Sequence, residues 1–255
     1  MAFPLQNKTA IVTGGSRGIG KAIALDVASK GANVLITYAN SEIQAQEVCS
    51  EIEKHGVASI GFRAAGTDRS APAAIVKAAV DKWTKIDIII NNAATGGDFS
   101  LLDTTEDQFE ELTLVNFRFP LFLIKAAIPH FGPAPRIVNI SSIYARSGHA
   151  NCSVYSACKG ALETATRSLA TELGHKYNAT INCVEPGPVN TDLWRKAYEG
   201  EEYRRVWEPE VQRTPAAPRV AEPHEVAHVV AFLCDEKTSW TTGSVINVNG
   251  GMIFV

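Results

Sequence analysis

Short apolar runs rich in β-branched residues alternate along this chain with longer segments of helical periodicity. That alternation restricts the fold more than any other feature. Ala10-Ile11-Val12-Thr13, Val34-Leu35-Ile36-Thr37-Tyr38, Ser59-Ile60-Gly61-Phe62 and Ile86-Asp87-Ile88-Ile89-Ile90 read as strands. So do Arg136 to Ile140, Thr180 to Val184 and Ser244 to Val248. Between them lie helical patterns. Ile19, Ile23 and Val27 recur every fourth position between Gly18 and Lys30. The next helix starts at Ser41 as N-cap and runs to Gly56. Ser70 caps a third, with Ile75, Val76, Ala79, Val80 and Trp83 on one face. Further helices are expected over Phe109 to Ile128, Ser153 to Gly174 and Glu222 to Leu233. Parallel strands need crossover connections, and this order supplies them. The expectation is an α/β fold: one doubly wound, seven-stranded parallel sheet with helices on both faces, spanning residues 1–255 as a single domain.

Composition narrows the function. The net charge is −3, and no block of basic residues marks a nucleic-acid partner. The five cysteines (Cys49, Cys152, Cys158, Cys183 and Cys234) are odd in number, with no Cys-x-x-Cys pair, so buried thiols are expected rather than disulfides or zinc. The N-terminal residues lack the pattern of a signal peptide. The strongest apolar stretch, Phe117 to Ile128, is cut by Arg118, Pro120 and Lys125 and reads as too short to span a bilayer. These readings point to a cytoplasmic protein with no membrane partner.

One segment breaks the rhythm. Asn190 to Pro223 has no clear strand but holds Trp194, Tyr198, Tyr203, Trp207 and four prolines. A long insertion after a strand's C-terminal end is where α/β folds place substrate lids. The alternative is a helical excursion that packs on itself or on another subunit.

The first strand runs directly into Thr13-Gly14-Gly15-Ser16-Arg17-Gly18-Ile19-Gly20, with a helix starting inside this segment. Glycines there allow a sharp turn and close approach of backbone N–H groups to an anion, at the positive end of a helix dipole. Strand, turn and helix in this order make a Rossmann-type phosphate cradle. The alternative is a turn that merely packs. An NAD site usually has a carboxylate at the end of the second strand. This strand ends Thr37-Tyr38-Ala39-Asn40-Ser41, with no acid until Glu42. Arg17, Asn40 and Ser41 suit a 2′-phosphate, which predicts NADP(H). Asn40 and Ser41 could also simply cap the next helix.

Tyr155 and Lys159 stand at i and i+4, on one face of a helix. A phenol titrates near 10, too high for efficient proton transfer at neutral pH. Bringing it to about 7 takes roughly 4 kcal/mol, which Lys159 and a cationic nicotinamide together could provide. Such a pair also arises by chance in a chain this long. Ser142 lies just past the strand ending at Ile140, at the sheet edge where ligands bind in such folds.

With these residues in view, the chain resembles a short-chain dehydrogenase/reductase along nearly its whole length. The matching landmarks are the turn Thr13 to Gly20, then Asp68, Asn91-Asn92-Ala93-Ala94, Asn116, Ser142, Tyr155, Lys159 and Pro186-Gly187. The resemblance implies a role for each. Gly14, Ser16, Arg17, Gly18, Ile19 and Gly20 would hold the pyrophosphate side of the cofactor. Asp68 would accept from the adenine amino group, and Asn91 and Ala93 would line the cofactor. Pro186, Gly187, Val189 and Thr191 would hold the nicotinamide. Ser142 would bind the substrate oxygen, Tyr155 would transfer the proton, and Lys159 would bind the ribose and acidify Tyr155. Asn116 would hold a water leading from Lys159 to solvent. Ala94 departs from the family's usual glycine.

The implied reaction is NADP(H)-dependent reduction of a ketone, or oxidation of a secondary alcohol. Aromatic residues of the lid suggest a bulky apolar or aromatic substrate, with Ile143, Thr95 and Trp194 as pocket neighbours. Tyr38-Ala39-Asn40-Ser41 is also similar to fungal polyketide and hydroxynaphthalene reductases. A 3-oxoacyl-thioester reductase, and a redox-neutral or regulatory cofactor-binding protein, are the alternatives. A metal is not expected: of six histidines only His224 and His228 share a helical spacing, without a matching carboxylate motif. The resemblance further implies a homo-oligomer, tetramer or dimer, packed through the long helices and the last strand.

Overall fold

The computed structural model describes residues 3–97 and 99–254; Met1, Ala2, Asp98 and Val255 of the expected domain lie outside the described residues. Seven strands form one parallel sheet: β1 (Thr9–Val12), β2 (Asn33–Tyr38), β3 (Ser59–Arg63), β4 (Ile86–Asn91), β5 (Phe131–Ile140), β6 (Thr180–Pro186) and β7 (Val245–Val248). Their spatial order is β3-β2-β1-β4-β5-β6-β7, the doubly wound arrangement expected from the alternation. The order reverses between β1 and β4, and a crevice opens there at the strands' C-terminal ends.

Side chains alternate across the sheet. Ile11, Leu35, Ile89, Ile137 and Ile181 face one layer with Ile75, Leu123 and Leu173. Val12, Val34, Ile36, Ile90 and Val138 face the other, with Ile23, Val27, Val226 and Val230. The first layer is built by α3 (Ala71–Trp83), α5 (Phe119–Ala127) and α6 (Ser153–Tyr177), the second by α1 (Gly18–Ser29), α2 (Glu42–Glu53) and α9 (Pro223–Cys234). Ile86, Ile88, Ile89 and Ile90 of β4 are all buried, each contributing about 2 kcal/mol of transfer free energy. Asp87 is buried among them because Thr9 N–H and Lys85 Nζ donate to its carboxylate, at 2.9 and 3.0 Å.

Several boundaries differ from the sequence reading. The second helix stops at Glu53, and Gly56 follows in a left-handed turn. Ser41 and Ser70 occupy N-cap positions without a capping hydrogen bond; the Ser70 hydroxyl donates instead to Asp68. The helix expected from Phe109 begins earlier, as α4 (Glu106–Thr113), because Thr105 and Gln108 form a reciprocal capping box. A π-helical turn, Leu114–Arg118, separates it from α5. The stretch Glu106–His130 is long and apolar enough to cross a membrane by length and composition, unlike the shorter run read from the sequence. In this fold its Leu112, Phe119, Leu123 and Ile124 are buried, the last three against the sheet and α3. The 190–223 segment contains two helices, α7 (Asp192–Tyr198) and α8 (Glu201–Gln212).

Candidate active site

The glycine turn follows β1 at the crevice. Gly14 has a left-handed φ of +64°, and its N–H donates to Thr37 Oγ1 at 3.0 Å. A side chain on Gly20 would overlap the Gly14 carbonyl oxygen, so the first turn of α1 can lie this close to the loop only with glycine there. Arg17 is the N-cap residue and makes no side-chain cap, so it leaves the first-turn N–H groups of α1 to an anion. Thr13 Oγ1 accepts from the N–H groups of Asn92 and Ala93, both at 2.9 Å. Asn92 Nδ2 returns hydrogen bonds to the carbonyls of Thr13 and Gly14. Asn92 thus fixes the turn to the end of β4, a role not read from the sequence. This cradle has the shape a dinucleotide pyrophosphate needs.

The other cofactor positions spread along the sheet edge. Asn40 is exposed, and Ser41 stands at the start of α2. Arg63, overlooked in the sequence, ends β3 and donates from Nε to the Ala39 carbonyl at 3.2 Å, which puts a cation beside Asn40. Asp68 is exposed. Hydrogen bonds from Ser70 hold its carboxyl below the usual carboxylate range. Asn91 is buried and donates to Asn139, so its side chain is committed to the sheet. Ala94 keeps a negative φ, so its methyl group introduces no backbone strain.

A cavity of about 290 Å³ lies over the C-terminal ends of β5 and β6. Ser142, Ile143, Tyr155 and Lys159 line it, together with Ile19, Pro186, Gly187, Val189, Thr191 and Trp194. Thr191 caps α7 by accepting from Trp194 N–H at 3.2 Å, and its methyl group packs over Gly18. The N-cap residue of α7 therefore touches the glycine turn. Thr95 does not line this cavity, contrary to the sequence expectation. Its N–H and carbonyl pair with the Asn116 amide, at 3.2 and 2.9 Å. The π-helical turn aims Asn116 at that loop, where its side-chain amide fixes Thr95.

Tyr155 and Lys159 share the buried face of α6 as expected. Lys159 Nζ donates to the Ile140 carbonyl at 2.7 Å and lies 5.6 Å from the centre of the Tyr155 ring. Burial pulls the ammonium down to about 8. Burial also pushes the Tyr155 phenol up to about 12, with only partial relief from its hydrogen bond to Ser142. The acidification expected from the sequence is not a property of these side chains by themselves. Desolvation outweighs what the lysine supplies at this distance.

The aromatics of the 190–223 segment both pack on one another and line the cavity. Trp194 packs on Tyr198, Tyr203 and Trp207, so the insertion has a core of its own. Trp194, Tyr203 and Trp207 also face the cavity. Tyr144 continues the wall downward, edge-on to Tyr155 at 6.0 Å between ring centres. His149 stacks on Trp207 at 5.3 Å. Tyr144 and His149 escaped the sequence reading because only the fold brings the loop after β5 under α8. Among the described residues no cluster of potential metal ligands occurs.

A cradle for a dinucleotide opening onto a hydroxyl, a phenol and an ammonium defines an oxidoreductase site. A family profile described as enoyl-(acyl carrier protein) reductase matches residues 14–253. The short-chain dehydrogenase/reductase FrzI of Cladobotryum sp is 52% identical over 252 residues, 98% of each chain. Elsinochrome reductase 1 of Elsinoe fawcettii is 34% identical over 260 residues, 96% of this chain and 94% of that protein. A short-chain dehydrogenase from Burkholderia cenocepacia, solved in complex with NADP, superposes with a TM-score of 0.90 at 35% identity, covering 98% of this chain and 99% of that one. The chain belongs to the short-chain dehydrogenase/reductase family and is an oxidoreductase.

Proposed function

We propose that this protein is an NADP(H)-dependent reductase of a bulky aromatic or apolar ketone. The observation that carries the reading is the placement of Tyr155 and Ser142 at the floor of a cavity walled by Tyr144, Trp194, Tyr203 and Trp207. A planar ring fits between such faces, while Ser142 and Tyr155 donate to its carbonyl oxygen. When bound, the reduced cofactor supplies a hydride to the carbonyl carbon. Tyr155 gives its proton to the oxygen, and the phenolate regains a proton from solvent. Lys159 holds positive charge beside the phenolate in that interval. Arg17, Arg63, Asn40 and Ser41 favour the 2′-phosphorylated cofactor.

The test is NADPH consumption by purified protein with a panel of cyclic aromatic ketones and of 3-oxoacyl thioesters. Turnover of the ketones is expected. Turnover of thioesters alone would favour the second reading, a 3-oxoacyl-thioester reductase. Self-association accompanies the proposal. Phe109 and Phe122 are exposed on α4 and α5, and Ala157, Ala161, Ala165 and Ala170 keep α6 small-sided. Sedimentation should give a dimer or tetramer. The free thiols, four of them buried, suit the reducing cytoplasm.

A further inference from the structure

Behind the cavity wall lies a group of polar side chains that the reaction above does not use. Glu163 on α6 and Glu185 on β6 are both buried, Glu185 completely. Glu163 accepts from the Ser141 hydroxyl at 2.7 Å and from Arg146 Nε at 2.8 Å. The same Nε lies 3.8 Å from Glu185 Oε2. Glu185 Oε1 has only a long contact from Asn249 Nδ2, at 3.4 Å, and Oε2 has no hydrogen-bond partner. Two carboxyls therefore face one guanidinium, which Glu163 already engages.

A fully buried carboxylate oxygen without a donor is costly, and a proton removes the cost. The groups around Glu185 are Glu163 from α6, Arg146 from the loop after β5 and Asn249 from the loop after β7. Cys183, two residues back on β6, is kept neutral by burial, which pushes its thiol up to about 12. Burial, then the neighbouring Glu163, push Glu185 up to about 7.

We propose that Glu163 and Glu185 are positioning residues that hold one proton between them, and that this protonated pair sets the geometry of the substrate site. The connections are direct. Ser141, bonded to Glu163, precedes Ser142. Glu185 precedes Pro186 and Gly187, which line the cavity. Losing the proton places a second negative charge in a buried space served by one guanidinium. The adjustment falls on Ser141–Ser142 and on the end of β6, and it weakens substrate binding.

The kinetic arm rests on the ketoreductase reading; the stability arm does not. A raised carboxyl pKa stabilises the fold fully below the usual carboxylate range, and that contribution is gone once the pH has passed about 7. Glu185→Gln should therefore unfold at a progressively higher temperature than wild type as pH rises to about 7, with no gain in acid. In wild type, KM for a reduced ketone should rise several-fold through that pH while kcat does not share the step. Glu185→Gln should lack the KM step. Glu163→Gln, which leaves Arg146 to Glu185 alone, should move the step to lower pH. A wild-type KM without a step near neutrality overturns the proposal, as does Glu185→Gln retaining it or an unshifted step in Glu163→Gln. If no ketone is turned over, the ketoreductase reading fails and the unfolding comparison still decides. Equal pH dependence of wild type and Glu185→Gln sinks the pair. If Glu185→Gln does not fold, the wild-type and Glu163→Gln profiles carry the decision.

Discussion

Lys159 Nζ reaches past the Tyr155 ring to the carbonyl of Ile140, 2.7 Å away, so the ammonium is anchored to the strand that also delivers Ser142. That anchor fixes the spacing of the Lys159 ammonium, the Tyr155 phenol and the Ser142 hydroxyl across α6 and the end of β5. Burial pushes the Tyr155 phenol up to about 12.

Tyr155→Phe removes the transferable proton and one oxyanion donor while keeping the packing. We expect kcat for ketone reduction to fall by about 10²–10⁴. The NADPH dissociation constant, read by cofactor fluorescence, should change little. Near-normal turnover would rule out Tyr155 as the acid.

The pH profile should be governed by Lys159. Its ammonium is charged below about 8 and neutral above, whereas Tyr155 stays protonated up to about 12. Reduction should therefore decline as pH rises through about 8 with the loss of Lys159 charge. Alcohol oxidation, which needs the phenolate, should rise with pH. A kcat for reduction that stays level through that range would contradict the assignment.

Gly20→Ala forces the new methyl group against the Gly14 carbonyl. The turn must open, and we expect NADPH affinity to fall at least about tenfold, or about 1.4 kcal/mol. Calorimetric titration checks it, with circular dichroism confirming the fold.

Trp207→Ala deletes a buried ring that joins the lid's own cluster to the cavity. A truncation of this kind costs about 3–5 kcal/mol in a packed core. Unfolding should come at a lower temperature, and KM for aromatic ketones should rise more than KM for a small aliphatic one. Equal effects on both would argue that Trp207 only supports the lid.

Arg63→Ala should weaken NADPH binding more than NADH binding if Arg63 faces the 2′-phosphate. A Debye length near 10 Å at 0.1 M salt leaves that charge effective at contact range. Parallel titrations with both cofactors decide it, and equal losses would remove Arg63 from the site.

Local chemistry made much of this legible. Glycines at 14, 18 and 20 announce a turn that only glycine fits, and buried parallel strands need apolar residues on both faces, so β1 and β4 stand out. The i, i+4 spacing put Tyr155 and Lys159 on one helix face before any fold was known. The rest depends on long-range packing. The pairing of the Asn116 amide with Thr95 is set by a π-helical turn that the sequence does not announce. Sequence reveals the lysine beside Tyr155 but not the burial that, among these side chains alone, pushes the phenol up. Glu163 and Glu185 are far apart in the chain and were silent there. They meet only because α6 packs across β6, where burial makes two ordinary carboxyls compete for one proton.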